Sequence, residues 1–115
     1  MATGFSVDIS EQNGTPVVKV SGEIDLHTCP ELSKVLQGVL ERNTLSVVLN
    51  LEEVSYIDST GLGVIAFAAR QLSTRDGKIF TVCTQPHIRK VFELSGLHKK
   101  NIVLYDNELS AIKGS

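Results

Sequence analysis

One stretch of this sequence breaks the rules of local structure. In Val54-Ser55-Tyr56-Ile57-Asp58-Ser59-Thr60-Gly61-Leu62-Gly63-Val64-Ile65, three side chains suited to a helix cap, Asp58, Ser59 and Thr60, are followed at once by two glycines. The apolar spacing beyond them is helical, so Gly61 and Gly63 fall in the first turn. Each glycine costs a helix interior about 1 kcal/mol relative to alanine. Function is expected where a local rule is broken without evident compensation. Glycine lets another backbone or a ligand come close, and the amides at a helix start favour negative charge. The turn therefore suits one of two chemistries: it accepts a phosphate, or it presents a hydroxyl to a kinase. A plainer alternative stands beside them. Asp58 or Ser59 caps the helix, and the glycines let it pack closely on a sheet.

Other chemistries find little support. Gly61-Leu62-Gly63 lacks the third glycine of a dinucleotide fingerprint and the lysine of a P-loop. Ser59 is not set in a Gly-x-Ser-x-Gly elbow. His27, His87 and His98 form no His-x-x-x-His pair, and Cys29 and Cys83 match no zinc spacing, so neither catalysis nor a metal or other cofactor is expected. The cysteines read as buried or half-buried inert thiols of a reducing compartment.

Composition narrows the class further. The net charge of -2 and the 5% of aromatic residues argue against a nucleic-acid binder. His98-Lys99-Lys100 and Arg89-Lys90 are too short for a polybasic membrane anchor. No apolar run reaches the roughly 18 residues of a spanning helix. Met1-Ala2-Thr3-Gly4 lacks the basic and apolar regions of a signal peptide. A cytoplasmic protein of one domain over residues 1–115, with a core at about 5–112, is expected. At 42% hydrophobic residues it has the material for that core.

The elements that must position the unusual stretch follow from periodicity. Phe5, Val7 and Ile9 alternate with polar residues, Asn13-Gly14 gives a turn, and Pro16 to Gly22 returns, an opening hairpin. Thr28 and Glu31 read as a capping box with Pro30 in the first turn, and Leu32, Val35, Leu36, Val39 and Leu40 extend a helix to about Arg42. Leu45 to Leu51 is a nearly continuous apolar run, which predicts a central strand covered on both faces.

A second helix runs from about Ser59 to Ser73, ending near Asp76-Gly77, and Lys78 to Cys83 is a strand. Pro86 opens a third helix with Gly96 as its C-cap, Ile102 to Tyr105 is the last strand, and Asp106 caps a short final helix. The order β-β-α-β-α-β-α-β-α predicts an α/β fold: a mixed, mostly parallel sheet with about four helices, right-handed crossovers and one antiparallel pair near an end.

These residues resemble the STAS family, and specifically its anti-sigma factor antagonists. Three features carry the likeness. Gly22-Glu23-Ile24-Asp25 precedes a helix start with Thr28 and Pro30, like the family's Gly-Glu-(Leu/Ile)-Asp segment. Val47 to Leu51 is similar to its central strand. Asp58-Ser59-Thr60-Gly61-Leu62-Gly63 is similar to its phosphorylation loop. The likeness spans roughly residues 5 to 112, and the wording from Tyr56 to Val64 is slightly closer to the general-stress type than to the sporulation type.

The resemblance implies a non-enzymatic partner switch. Ser59 would be the acceptor for a serine-kinase anti-sigma factor, with Thr60 the less favoured neighbouring hydroxyl. The unphosphorylated protein would bind that kinase and free its sigma factor; phosphorylation would end binding, and a PP2C-type phosphatase would reset the cycle. Asp25, Asp58, Ser59, Thr60, Gly61, Leu62 and Gly63 are the expected partner-binding residues. Read from its residues alone, Asp25 is equally a solvated turn aspartate, and Leu62 reads as core from its helical spacing with Ile65 and Ala66. Two other roles within the same fold stay open: a scaffold component of a stress-sensing assembly, and a nucleotide-binding domain.

Overall fold

Residues 4–115 are described in a computed structural model of the chain; Met1, Ala2 and Thr3, part of the stretch weighed as a signal-peptide start, lie outside them. The hairpin comes first: β1 (Ser6–Gln12) and β2 (Thr15–Ile24) pair antiparallel around Asn13 and Gly14. Both turn residues have positive φ, 53° and 82°, the backbone that a two-residue hairpin requires and that Asn-Gly supplies at least cost. Then follow α1 (Cys29–Leu40), β3 (Ser46–Ile57), α2 (Ser59–Ser73), β4 (Lys78–Val82), α3 (Pro86–Ser95), a short 3-10 turn at Leu97–Lys99, β5 (Ile102–Tyr105) and α4 (Glu108–Gly114). The strands lie in the order β1-β2-β3-β4-β5, and every pair after the hairpin is parallel.

The sheet separates two cores. Alternation along β3 sends Val47, Leu49 and Leu51 to one side and Val48 to the other, which is why this run reads as continuously apolar. On the first side lie α1, α2 and α3, contributing Leu32, Leu36, Ile65, Leu72, Ile88 and Phe92 to the large cluster. Each such buried side chain contributes about 1.5–3 kcal/mol over leaving it exposed. Placing all three crossover helices on one face is what right-handed crossovers produce when each strand is laid beside the last. On the second side α4 alone covers Val17, Val48, Phe80 and Val82, through Ala111. Asn50, buried in β3, donates to Glu108 Oε2 at 2.8 Å and so ties α4 to the sheet.

Two helix caps differ from expectation. Thr28 is the N-cap of α1, but its hydroxyl donates to Glu23 O and accepts from Asp25 N, so no capping box forms with Glu31. The cap of α4 is Asn107, whose side chain accepts from Ser110 N, while Asp106 turns outward to pair with Arg89 at 2.9 Å. Adjacent Asp and Asn are equally good caps, and only packing decides between them. Gly96 closes α3 in the left-handed region at φ 78°, as expected.

The larger difference is β3, which continues to Ile57 instead of ending at Leu51. Its register against β2 explains why the continuation is hidden. Lys19 to Ser21 spans two steps while its partners Asn50 to Glu53 span three, and Gly22 to Glu23 spans one while Val54 to Tyr56 spans two. Each shift inserts one extra residue into β3 and breaks the period-two pattern. Beyond Asn50 the strand has no β4 neighbour. Gln85, the N-cap of α3, takes that place: its amide nitrogen lies 2.8, 3.0 and 2.7 Å from the carbonyls of Leu51, Glu52 and Val54. His87 Nε2 reaches Ser55 O at 2.9 Å.

Gln85 therefore holds the bulged half of the strand that ends at Ile57, one residue before Asp58. Gln85→Ala is expected to destabilise the fold by about 1–3 kcal/mol, measured by urea denaturation, and Gln85→Glu by at least as much because it sets a carboxylate against carbonyls.

Candidate functional site

The parallel register sets Ile24 beside Ile57, so the loop after β2 and the loop after β3 emerge side by side. Asp58 N donates to Ile24 O at 3.1 Å and locks them together. Asp58 itself is extended, with φ -102° and ψ -177°, and its carboxylate accepts from Gly61 N at 2.9 Å. Asp58 is the cap, which settles one alternative left by the sequence. Ser59 is the first residue inside α2, exposed, and its hydroxyl has no hydrogen-bond partner among the described residues. Thr60 is half-buried beside it.

The two glycines serve different ends. Gly61 is buried, and a Cβ there would stand 2.5 Å from Ile24 Cγ2 and 3.0 Å from Ile57 Cγ1. It is the point at which α2 presses onto the ends of β2 and β3. Gly63 is exposed, and a Cβ there would meet nothing within 4 Å. Packing explains the first glycine and leaves the second unexplained. Leu62 is half-buried, packed at the edge of the large cluster instead of inside it.

Asp25 is held by its own loop. Its carboxylate accepts from His27 N at 2.9 Å, Thr28 N at 3.1 Å and the Thr28 hydroxyl at 3.3 Å. The Thr28 amide, chiefly, keeps this carboxyl below its ordinary pKa, against an opposing effect of partial burial. The fork keeps the β2–α1 loop folded next to Ser59. Among the seven expected site residues, then, Asp25, Asp58, Ser59, Thr60, Gly61, Leu62 and Gly63 all gather at one end of the sheet, the carboxyl end of β2 and β3, where open α/β sheets place their sites.

Around them, Leu26 and Tyr56 stand exposed, at 65% and 49%. Gln85 and His87 were not foreseen: a carboxamide spread over three carbonyls has no sequence signature. Cys83 lies elsewhere, buried, and burial pushes its thiol up to about 11, so it stays protonated at neutral pH. Cys29 is buried too. Among the described residues no cluster of three or more His, Cys, Asp and Glu could hold a metal ion, and no helix is long and apolar enough to cross a membrane. A cavity of ≈ 410 Å³ sits away from Ser59, between the far half of α2 (Ala66, Ala69, Arg70, Ser73) and the Leu97–Lys100 turn.

Known proteins share this fold. The STAS domain family matches residues 6–111. The chain belongs to the STAS family of anti-sigma factor antagonists. The anti-sigma-B factor antagonist of Staphylococcus aureus is 36% identical over 93 residues, covering 81% of this chain and 86% of that protein. The Staphylococcus epidermidis protein of the same name is 39% identical over 80 residues, covering 70% and 74%.

An anti-sigma factor antagonist from Mycobacterium paratuberculosis superposes with a TM-score of 0.89 at 28% identity, covering 99% of this chain and 96% of that one. The Bacillus cell fate determinant SpoIIAA superposes at 0.73 in its phosphorylated form, with 25% identity and coverage of 96% and 98%. In its unphosphorylated form it superposes at 0.72, with 21% identity and coverage of 96% and 96%. Anti-sigma factor antagonists are non-enzymatic regulators.

Two expectations follow for this STAS loop. Gly61→Ala should destabilise the fold by about 1–3 kcal/mol through overpacking against Ile24. Gly63→Ala should stabilise it by up to about 1 kcal/mol through helix propensity. Paired thermal melts test these opposite signs for one substitution at sites two residues apart. Separately, Asp25 should titrate below its ordinary 3.8 in a carboxyl NMR titration. A depressed folded pKa gives stability that is present above the unfolded value and lost as pH falls through the folded one. Asp25→Asn should therefore remove part of the acid sensitivity below about pH 4.

Proposed function

We propose that this antagonist is a phosphorylation-controlled partner switch in the cytoplasm, with Ser59 as the acceptor. Unphosphorylated, it binds a serine-kinase anti-sigma factor, which then releases its sigma factor. Phosphorylation of Ser59 by that kinase ends the binding, and a PP2C-type phosphatase restores it. The observation that carries this reading is the division of labour at the helix start: Asp58 occupies the capping role, so the Ser59 hydroxyl is exposed and uncommitted.

Electrostatics support a switch that works by charge. Phosphoserine adds about -1.5 to -2 units of charge and three acceptor oxygens. The amides of Ser59 and Thr60 begin α2 and have no carbonyl one turn earlier in the helix to bond, so a phosphate is locally tolerated. Asp25 and Asp58 oppose it. Neither Ser21–Cys29 nor Glu52–Val64 contains a lysine or arginine, so the two loops offer no permanently charged cation onto which the phosphate could fold. The new charge is left facing the partner. The Bacillus relative, which resembles this chain equally in both phosphorylation states, supports a fold that does not change. At a desolvated contact a few kcal/mol of repulsion lowers affinity by several powers of ten.

The test is incubation with purified serine-kinase anti-sigma factors and ATP, followed by mass spectrometry of the loop peptide. Phosphate is expected on Ser59 and absent in Ser59→Ala, which keeps its affinity for the kinase. Ser59→Asp should bind at least about tenfold more weakly, with far-ultraviolet circular dichroism unchanged. Phosphorylated protein that binds as tightly as the unmodified form, or that loses its secondary structure, refutes the charge switch.

A further inference from the structure

The outer face of α2 is unlike a solvated helix face. From Ser59 to Ala69 the helix has no charged residue over three turns, whereas the water-facing side of a surface helix ordinarily carries charge. The residues that do face water are Ser59, Gly63, Phe67, Arg70 and Ser73, which fall on one stripe. Gly63 leaves the helix backbone bare, with open space where a side chain would stand. Phe67, one turn further and roughly 12 Å along the axis from Ser59, exposes 47% of its surface. Near it on α2 opens the cavity, whose lining mixes apolar Ala66, Ala69 and Leu97 with polar Asn101, Arg70 and Lys100. Both cations are exposed, and neither is in a salt bridge: the pairs among the described residues are Lys19–Glu53 and Arg89–Asp106.

This is a ring, a bare stretch of backbone and a partly apolar hollow with unpaired cations, on the same helix as the phosphorylatable serine. Aromatic anchors beside a hollow are what interface cores are made of. The free positive charges match an acidic partner group.

We propose that the outer face of α2 is a second contact zone for the same anti-sigma factor that meets Ser59. A segment of that partner crosses α2 at Gly63, packs on Phe67, and places an apolar side chain in the hollow with a carboxylate near Arg70 and Lys100. This rests on the reading of Ser59 given above and extends it: the serine decides when binding occurs, and the face beyond it supplies part of the affinity. Continuity of the stripe with Ser59 favours this partner over a second copy of the chain.

Calorimetric titration against the purified serine-kinase anti-sigma factors tests the proposal. Phe67→Ala should weaken binding by about tenfold or more. Arg70→Glu should slow association and flatten its salt dependence. Leu109→Ala, which removes a 63% exposed side chain from α4 on the opposite side of the sheet, should change nothing. About half of Phe67 is packed against the protein, so Phe67→Ala costs some stability, and circular dichroism should show each variant folded at the titration temperature, with Phe67→Glu as a second variant. If Phe67→Ala and Arg70→Glu bind like wild type while Ser59→Asp does not, the second zone is refuted and the Ser59 reading stands. If wild type binds none of the kinases, both fall. If sedimentation shows a dimer that Phe67→Ala disperses, the occupant is a second copy and the proposal is overturned.

Discussion

A single carboxylate governs this site. Asp58 receives the Gly61 amide at 2.9 Å, and its own amide donates to Ile24 O at 3.1 Å. The first bond satisfies one of the orphan donors at the start of α2, a role commonly taken by serine or threonine. The second fixes the end of β3 to the end of β2. Without Asp58 in that role, the adjacent hydroxyls would be drawn inward to cap the helix. With it, Ser59 is left with nothing to do inside the molecule, and a side chain with no internal duty is free to serve an external one.

The fold that delivers Asp58 to this position was largely legible from periodicity. The hairpin turn, the apolar stripe of α1, the buried run at the start of β3 and the glycine that ends α3 each follow from local chemistry. What escaped is the second half of β3. The first inserted residue slides Val54 out of alternation with Leu51 and the second sets Ile57 three residues beyond Val54, so the strand's own pattern stops announcing it. That half is held from one side by β2 and from the other by Gln85, a contact between residues more than thirty positions apart. Long-range hydrogen bonds of this kind leave no periodic trace.

The seven residues expected at the site do converge, because their loops leave adjacent parallel strands at the same end. Their individual roles were less readable. The identical residue type at 61 and 63 hides two opposite environments, one against Ile24 and one against open space. Leu62 has core spacing but sits half-buried at the edge of the large cluster. Thr28 has the sequence of a cap, yet its hydroxyl is taken by Glu23 and Asp25, which organises the loop instead. Phe67 passed unremarked, since isolated apolar residues on a surface are ordinary. Only its alignment with Ser59 on an uncharged helix face sets it apart.

The tight seat of Gly61 against Ile24 and Ile57 has a consequence for signalling. A helix wedged this firmly at its first turn has little room to tilt or unwind when a group is added one or two residues away. Under the switch proposed for Ser59, the added charge would act where it is placed and not through a change relayed across the body of the protein, and a regulator that stores its state without deforming could be reset many times over.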